Sequence, residues 1–387
     1  MKKRKILSMI LVSIFIVNLL TTTSFAQKIE SNLDIENCEK VISSYIEDFL
    51  TKGYSEYYDI NSVETVFDEI NIDEEDNIVA IVRTTMNNVL KAKAVEELPY
   101  VKGMLKKVNL NTLSYESDDE TMSIVAANNE NNLNANQIEV TSRIINDKFK
   151  DLKQYIGESD DTNFIFRVTA SARDGQIDMS TINMFAENID EFIPAEEMLP
   201  KAEYEYEQEG FKYLETEISR ADTIYSKEMS PTLYSNYDRL KARDYANKYT
   251  SNTTKKCPHG EALMDTSKYN SNYSWYCHND CANYVSQSLK AGGLPTDSTW
   301  KGGSTAWINC EKLTDYMVNT KKYWKKSDYE NANAGGVIMM KNSQGRRYHT
   351  VMIVKNDTVT RQFSGHTNDR LQSAYSKNSS WEYYVLQ

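Results

Sequence analysis

Residues 28–230 contain no histidine and a single cysteine, Cys38. That stretch therefore lacks the imidazole bases and paired thiols on which nucleophilic catalysis and soft-metal ligation depend. All four histidines and all five tryptophans lie after position 250. Beyond the first 26 residues no segment is long and apolar enough to cross a bilayer. No internal repeat is visible. The basic residues form no dense cluster beyond Lys321-Lys322 and Lys325-Lys326, which excludes nucleic acid as the expected partner. No two cysteines stand at the two-residue spacing of structural zinc sites, so the run Cys277, His278, Cys281 does not call for a metal, and no cofactor is expected. The acidic cluster Asp73-Glu74-Glu75-Asp76 lacks a glycine-centred calcium loop and reads as a solvated turn.

The chain begins with an address. Lys2, Lys3, Arg4 and Lys5 precede an apolar run from Ile6 to Leu20, and Ser24-Phe25-Ala26 offers the small residues a signal peptidase reads. Residues 1–26 are thus expected to be a cleaved signal peptide, which places the mature protein outside the cell. Charge then divides the remainder. Residues 28–230 carry 19 Lys/Arg against 43 Asp/Glu, whereas residues 231–387 carry 21 against 13. The basic half suits an anionic partner such as a cell wall, and it equally suits attraction to the acidic half. The expected organisation is an acidic α+β domain over 27–200, a connector over 201–234 and a second domain over 235–387. The cysteine count of five is odd, so at least one thiol stays unpaired within a single chain. Cys257 with Cys277 or with Cys310 is a candidate disulfide, and sequence does not choose.

The acidic domain opens on an apolar helical stripe, Ile42, Tyr45, Ile46, Phe49 and Leu50. Strands are expected at Asn77–Thr85, Thr121–Ala126 and Asn163–Ala170, with a helix through Leu98–Val108 and a polar loop at Asn128–Asn136. A helical connector follows around Glu203–Glu217 and ends near Ser230-Pro231.

The second half holds the chemistry. Asp280-Cys281-Ala282-Asn283-Tyr284-Val285-Ser286-Gln287 puts a cysteine where a helix should begin, and Gly292-Gly293 marks its end. A thiol in the first helical turn faces the positive end of the dipole and unpaired amides, and both favour thiolate. A helix through Trp307–Met317 follows, then strands at Gly335–Met340, His349–Val354 and Asp357–Ser364. Helix-borne cysteine, strand-borne histidine and a polar residue on the next strand is the order of papain-like hydrolases. Cys281 is the candidate nucleophile and His349 its base. His366 is the candidate third member, with Asn368 and Asp369 as alternatives, and amides at the helix start would hold the oxyanion.

The combined motifs Tyr237-x-Arg239, Tyr245-Ala246, Asp280-Cys281-x-Asn283-x-x-Ser286-Gln287, Ala291-Gly292-Gly293, Ser304-x-x-Trp307, His349 and His366-Thr367-Asn368-Asp369-Arg370 resemble the amidase domain of secreted bacterial proteins. That family is similar to the NlpC-type and CHAP groups of peptidoglycan-cleaving cysteine hydrolases. The resemblance covers roughly 235–387 and implies a papain-like (NlpC-like) α+β fold. It assigns Cys281 as nucleophile, His349 as base and His366 as third member, with Asp280 and Asn368 in support. Two departures stand out: Gly335-Gly336 replaces the family's Gly-Asp, and the loop carrying Cys257, His259 and Cys277 is longer. The implied function is cleavage of amide or peptide bonds in peptidoglycan through a thioester. The same residues would serve a protein-directed cysteine peptidase or acyltransferase, and a non-catalytic cell-surface binding protein could keep the fold. Oligomeric state is not legible.

Overall fold

A computed structural model describes residues 34–108, 133–225 and 237–386. The expected signal segment 1–26, the strand at Thr121–Ala126 and the connector's end at Ser230-Pro231 lie outside the described residues. Helix α1 (Ile35–Tyr54) leads into the long hairpin β1 (Tyr58–Ile72) and β2 (Asn77–Leu90), and helices α2 (Pro99–Lys107) and α3 (Ala135–Lys153) follow. Strands β3 (Ser159–Arg173), β4 (Gln176–Ile177), β5 (Asn183–Asn188) and β6 (Glu191–Pro194) precede helix α4 (Glu203–Tyr225). The C-terminal half contributes helices α5 (Arg239–Lys248), α6 (Cys281–Ala291), α7 (Thr305–Ile308) and α8 (Cys310–Thr314). Its strands are β7 (Trp324–Ser327), β8 (Val337–Lys341), β9 (Arg347–Asn356), β10 (Arg361–Gly365), β11 (Arg370–Ala374) and β12 (Glu382–Leu386). The fold is mixed α/β, and no helix among the described residues is long and apolar enough to cross a membrane.

Periodicity explains the N-terminal half. Cys38, Ile42, Ile46 and Leu50 recur every four residues along α1 and are buried against the inward positions of the sheet, Ile78, Ala80 and Val82 on β2 and Phe164, Phe166 and Val168 on β3. Asp34 caps α1 by accepting from the Glu36 amide. Asp73, from the acidic cluster, accepts from the amides of Glu75 and Asn77 and so closes the β1–β2 turn. Two elements differ from expectation. Residues 134–136 belong to a helix start, where Asn134 and Gln137 form a reciprocal capping box for α3. The expected connector is the packed helix α4, which buries Tyr206, Leu214 and Ile218 in the N-terminal core.

Helices α2 and α4 cross backbone to backbone. A Cβ on Gly103 would lie 1.9 Å from the carbonyl oxygen of Glu207, and one on Gly210 would lie 1.8 Å from that of Tyr100. Gly103→Ala should therefore cost about 2 kcal/mol or more, read as a lower midpoint in chemical denaturation. An unchanged midpoint would mean that the helices do not meet there.

The two halves share one sheet, ordered β1-β2-β3-β11-β10-β9-β8-β12-β7. Strand β3 is the seam. Near Asn163 it pairs in parallel with β11, and from Phe166 to Thr169 the same edge pairs with β5. The opposed charges of the halves meet inside the molecule. Lys355, buried, lies 2.8 Å from Asp160 and 3.2 Å from Asp357; Arg239 pairs with Asp151 at 2.5 Å; and Arg370 holds Glu187 through two contacts of 2.5 and 2.7 Å. Attraction between the halves thus accounts for part of the charge division.

Candidate active site

Helix α6 packs on the sheet face formed by Val337, Met339, Met352 and Val354, through Ala282, Val285 and Leu289. Cys281 opens the helix and is 4 % exposed. No side chain caps α6, because the carboxylate of Asp280 turns elsewhere, so the first-turn amides keep their positive field at the cysteine. The half-buried His349 is the third residue of β9 and pairs with Met340 of β8. Its imidazole and the Thr350 amide both act on the Cys281 sulfur and lower the thiol.

A third partner comes from a residue for which sequence offered only a disulfide role. Cys310, at the start of α8, places its sulfur 3.7 Å from that of Cys281. This Cys310 thiol is the largest influence holding the Cys281 thiol well below the usual range; burial opposes it, and the charge and hydrogen bond of His349 add to it. Cys310 itself is pushed far up, first by that same hydrogen bond and then by burial. On His349, burial disfavours the imidazolium, but the neighbouring Cys281 thiolate more than offsets it, with Asp190 contributing, so its pKa is raised. Thiolate and imidazolium therefore stabilise each other. Cys257 is disulfide-bonded to Cys277, which resolves the pairing and withdraws Cys277 from any zinc set. Among the described residues no cluster of three or more His, Cys, Asp or Glu side chains could hold a metal ion.

His366 is placed differently from its expected role as the group that orients His349. It is 2 % exposed, with Nδ1 2.6 Å from Asp280 Oδ2 and Nε2 2.7 Å from the Tyr249 carbonyl oxygen. Its ring lies between those of Tyr269 and Tyr284, at centroid distances of 3.8 and 4.1 Å. Both nitrogens are committed, so neither is left for the imidazole of His349. Nε2 donates to the Tyr249 carbonyl oxygen, and Nδ1 shares a hydrogen bond with the Asp280 carboxyl. The rest of the motif continues this clamp. Thr367 Oγ1 accepts from the Asp280 amide, Asn368 Oδ1 accepts from the Leu263 amide, and Asp369 accepts from the Asp265 amide and the Tyr269 hydroxyl. Burial raises the Asp369 carboxyl. Thr367 and Asn368 both adopt positive φ, 65° and 67°, to make the turn. Asp280, Asn368 and Asp369 thus fix the loop over the start of α6.

Most of the cysteine motif is framework as well. Asn283 Oδ1 accepts from Trp307 Nε1, Ser286 Oγ donates to the Trp307 carbonyl and accepts from Trp300 Nε1, and Gln287 accepts from the Tyr245 hydroxyl. Gly335, at φ +86°, lets β8 start beneath α5; a Cβ there would lie 2.5 Å from that of Arg239.

Residues 236–386 match the family model described as "Putative amidase domain". The match includes Cys281, Cys310, His349 and His366 and marks the C-terminal domain as amidase-like. The chain is also 31% identical over 115 residues to the protein named "Uncharacterized protein YjcM" of Bacillus subtilis (strain 168), an alignment covering 27% of this chain and 28% of that relative. The chain thus matches little more than a quarter of this curated relative's length. No solved structure matches. The amidase-like domain includes α5 to α8 and the sheet from β7 to β12, while β1 to β6 and α1 to α4 lie outside the match.

Proposed function

We propose that the protein is a secreted cysteine hydrolase that cleaves amide or peptide bonds of peptidoglycan through a thioester. The observation that carries this reading is the Cys281–His349 pair: a thiol held low at an uncapped helix N-terminus beside an imidazole whose pKa is raised by that thiolate. Amide hydrolysis is supported by the family match over 236–386. A papain-like arrangement is supported by the packing of the cysteine helix α6 on the histidine strand β9. Export is supported by the signal-like first 26 residues and by the Cys257–Cys277 disulfide, which suits an oxidising compartment.

In this mechanism the Cys281 thiolate attacks the carbonyl carbon, and the oxyanion forms at the first-turn amides of α6. His349 protonates the leaving amine, releasing it and leaving an acyl group on sulfur. The now neutral imidazole takes a proton from water, whose oxygen displaces the thiolate. Cys310 donates to the sulfur whenever it is anionic.

The test is digestion of purified peptidoglycan with identification of the new termini. The full chain should release fragments with new amine and carboxyl termini, and Cys281→Ala should lower the rate on the order of a thousandfold or more while melting normally. Undiminished digestion by Cys281→Ala would overturn the assignment.

A further inference from the structure

The histidine base has no orienting partner among the residues expected to supply one. His366 is held by Asp280 and Tyr249, Asn368 by Leu263, and Asp369 by Tyr269 and Asp265. A carboxylate from outside the amidase-like domain, that of Asp190, binds the neighbouring Tyr348 and acts on the imidazole by its charge. We propose that the N-terminal half completes the catalytic site, the tip of the β5–β6 hairpin presenting Asp190 to His349 as its positioning residue. This rests on the cysteine-hydrolase reading above and extends it to residues beyond the family match.

The hairpin is built onto the amidase-like domain at each step. Glu187 holds Arg370 bidentately. Asn188 Oδ1 accepts from the Ser376 amide at 3.0 Å, and Glu191 accepts from Asn378 Nδ2 at 2.6 Å. Between them Ile189 is buried in an apolar cluster with Ile338, Met340, Val351 and Ile353, side chains of β8 and of the strand that carries His349. Ile189 does this at φ +63°, a left-handed conformation that a β-branched residue rarely adopts and that two-residue hairpins usually give to glycine. Such strain persists only where surrounding contacts over-determine it. Its consequence is the aim of the next residue. Asp190 accepts a hydrogen bond from Tyr348, the neighbour of His349, and its negative charge acts on the imidazole. Because β3 and β11 share one sheet, the hairpin is fixed to the domain it serves.

A carboxylate at this place favours the imidazolium that forms when the thiol ionises, and by holding Tyr348 it fixes the residue whose ring lies beside the one that receives the proton. The other groups facing His349 are Cys281 from α6 and, through it, Cys310 from α8. On its own strand stand Tyr348 and Arg347, the latter engaged by Glu311 and Glu382. Glu191 adds a further negative charge near Tyr348.

The experiment is alkylation of Cys281 by iodoacetamide in the full chain as a function of pH, read by mass spectrometry. Steady-state hydrolysis of peptidoglycan is measured beside it. Wild type should show two steps: thiol ionisation at low pH and imidazolium deprotonation at high pH. In Asp190→Asn the low step should rise and the high step fall, each by on the order of half a pH unit, bringing the steps together. The kcat should drop on the order of tenfold with KM little changed. Asp190→Glu should restore part of the separation, and Tyr348→Phe should move both steps the same way by less. A profile for Asp190→Asn that superimposes on wild type would overturn the positioning role. A wild type without fast-reacting Cys281 would instead overturn the hydrolase reading beneath it.

Discussion

His349→Ala should lower peptidoglycan hydrolysis on the order of a hundred- to ten-thousandfold and shift the reactivity of Cys281 to higher pH. Burial by itself disfavours the Cys281 thiolate. The Cys310 thiol and the Thr350 amide would still stabilise the anion in the variant, so the thiol should remain reactive above neutrality. The lost contribution is the charge and hydrogen bond of the imidazolium, together with the proton it delivers to the leaving amine. The sign for wild type follows from both partners. Cys281 is held below the usual thiol range, so activity should survive well below the pH at which an ordinary thiol ionises. His349 is held above the usual imidazole range, so the alkaline limb should lie above that of a free histidine. A bell-shaped rate profile spanning neutrality is expected. In His349→Ala its acid limb should move up and its alkaline limb should disappear. Wild-type alkylation of Cys281 at pH 6 in that variant would remove His349 from the pair.

The Cys281–His349 pair was legible because helix starts and strand starts leave signatures: Asp280 before the cysteine, Gly292-Gly293 after its helix, and an apolar run from Val351 behind the histidine. In the N-terminal half the same holds for α1, with its four-residue stripe, and for β2 and β3, whose alternation is regular. Strand β1 is absent from the expected elements because it is an edge strand whose bulges at Ile60/Ser62 and Phe67/Glu69 break the alternation of its core-facing Ile60, Val63, Phe67, Ile70 and Ile72. Helix α3 was hidden behind an asparagine-rich stretch, although its capping residues Asn134 and Gln137 stand there to be read. The site was less legible where it depends on distance rather than order. His366 follows Gly365 on the strand beside His349, which is where a third member belongs, yet the turn at Thr367-Asn368 sends its ring to Asp280 instead. Cys310 carries no signal separating a thiol near the nucleophile from a disulfide partner. Asp190 is one of 43 acidic residues between positions 28 and 230, and only the pairing of β3 with both β11 and β5 brings its hairpin to the site.

His366→Ala is expected to cost stability rather than chemistry. Asp280 is fully buried, and Oδ2 of its carboxylate faces only the imidazole, while Oδ1 accepts from the Tyr276 amide and Asn283 Nδ2. Removing the ring leaves one oxygen of a buried carboxylate uncompensated, a loss of about 3–5 kcal/mol. The rings of Tyr269 and Tyr284 would lose their shared stacking partner as well. Thermal denaturation should show a midpoint lower by about 10 °C, and limited proteolysis should open the loop between Leu263 and Asp280, which the clamp holds. The variant Asp280→Asn/His366→Gln should recover much of this, since an amide pair can keep the buried hydrogen bond, and the double-mutant cycle should give a coupling well above that of an exposed pair. At temperatures where His366→Ala is folded, Cys281 should keep its low-pH alkylation step, because His349 and Cys310 are untouched. Normal melting with loss of that step would be the opposite result, and it would put His366 back into the proton path from which its hydrogen bonds to Asp280 and Tyr249 remove it.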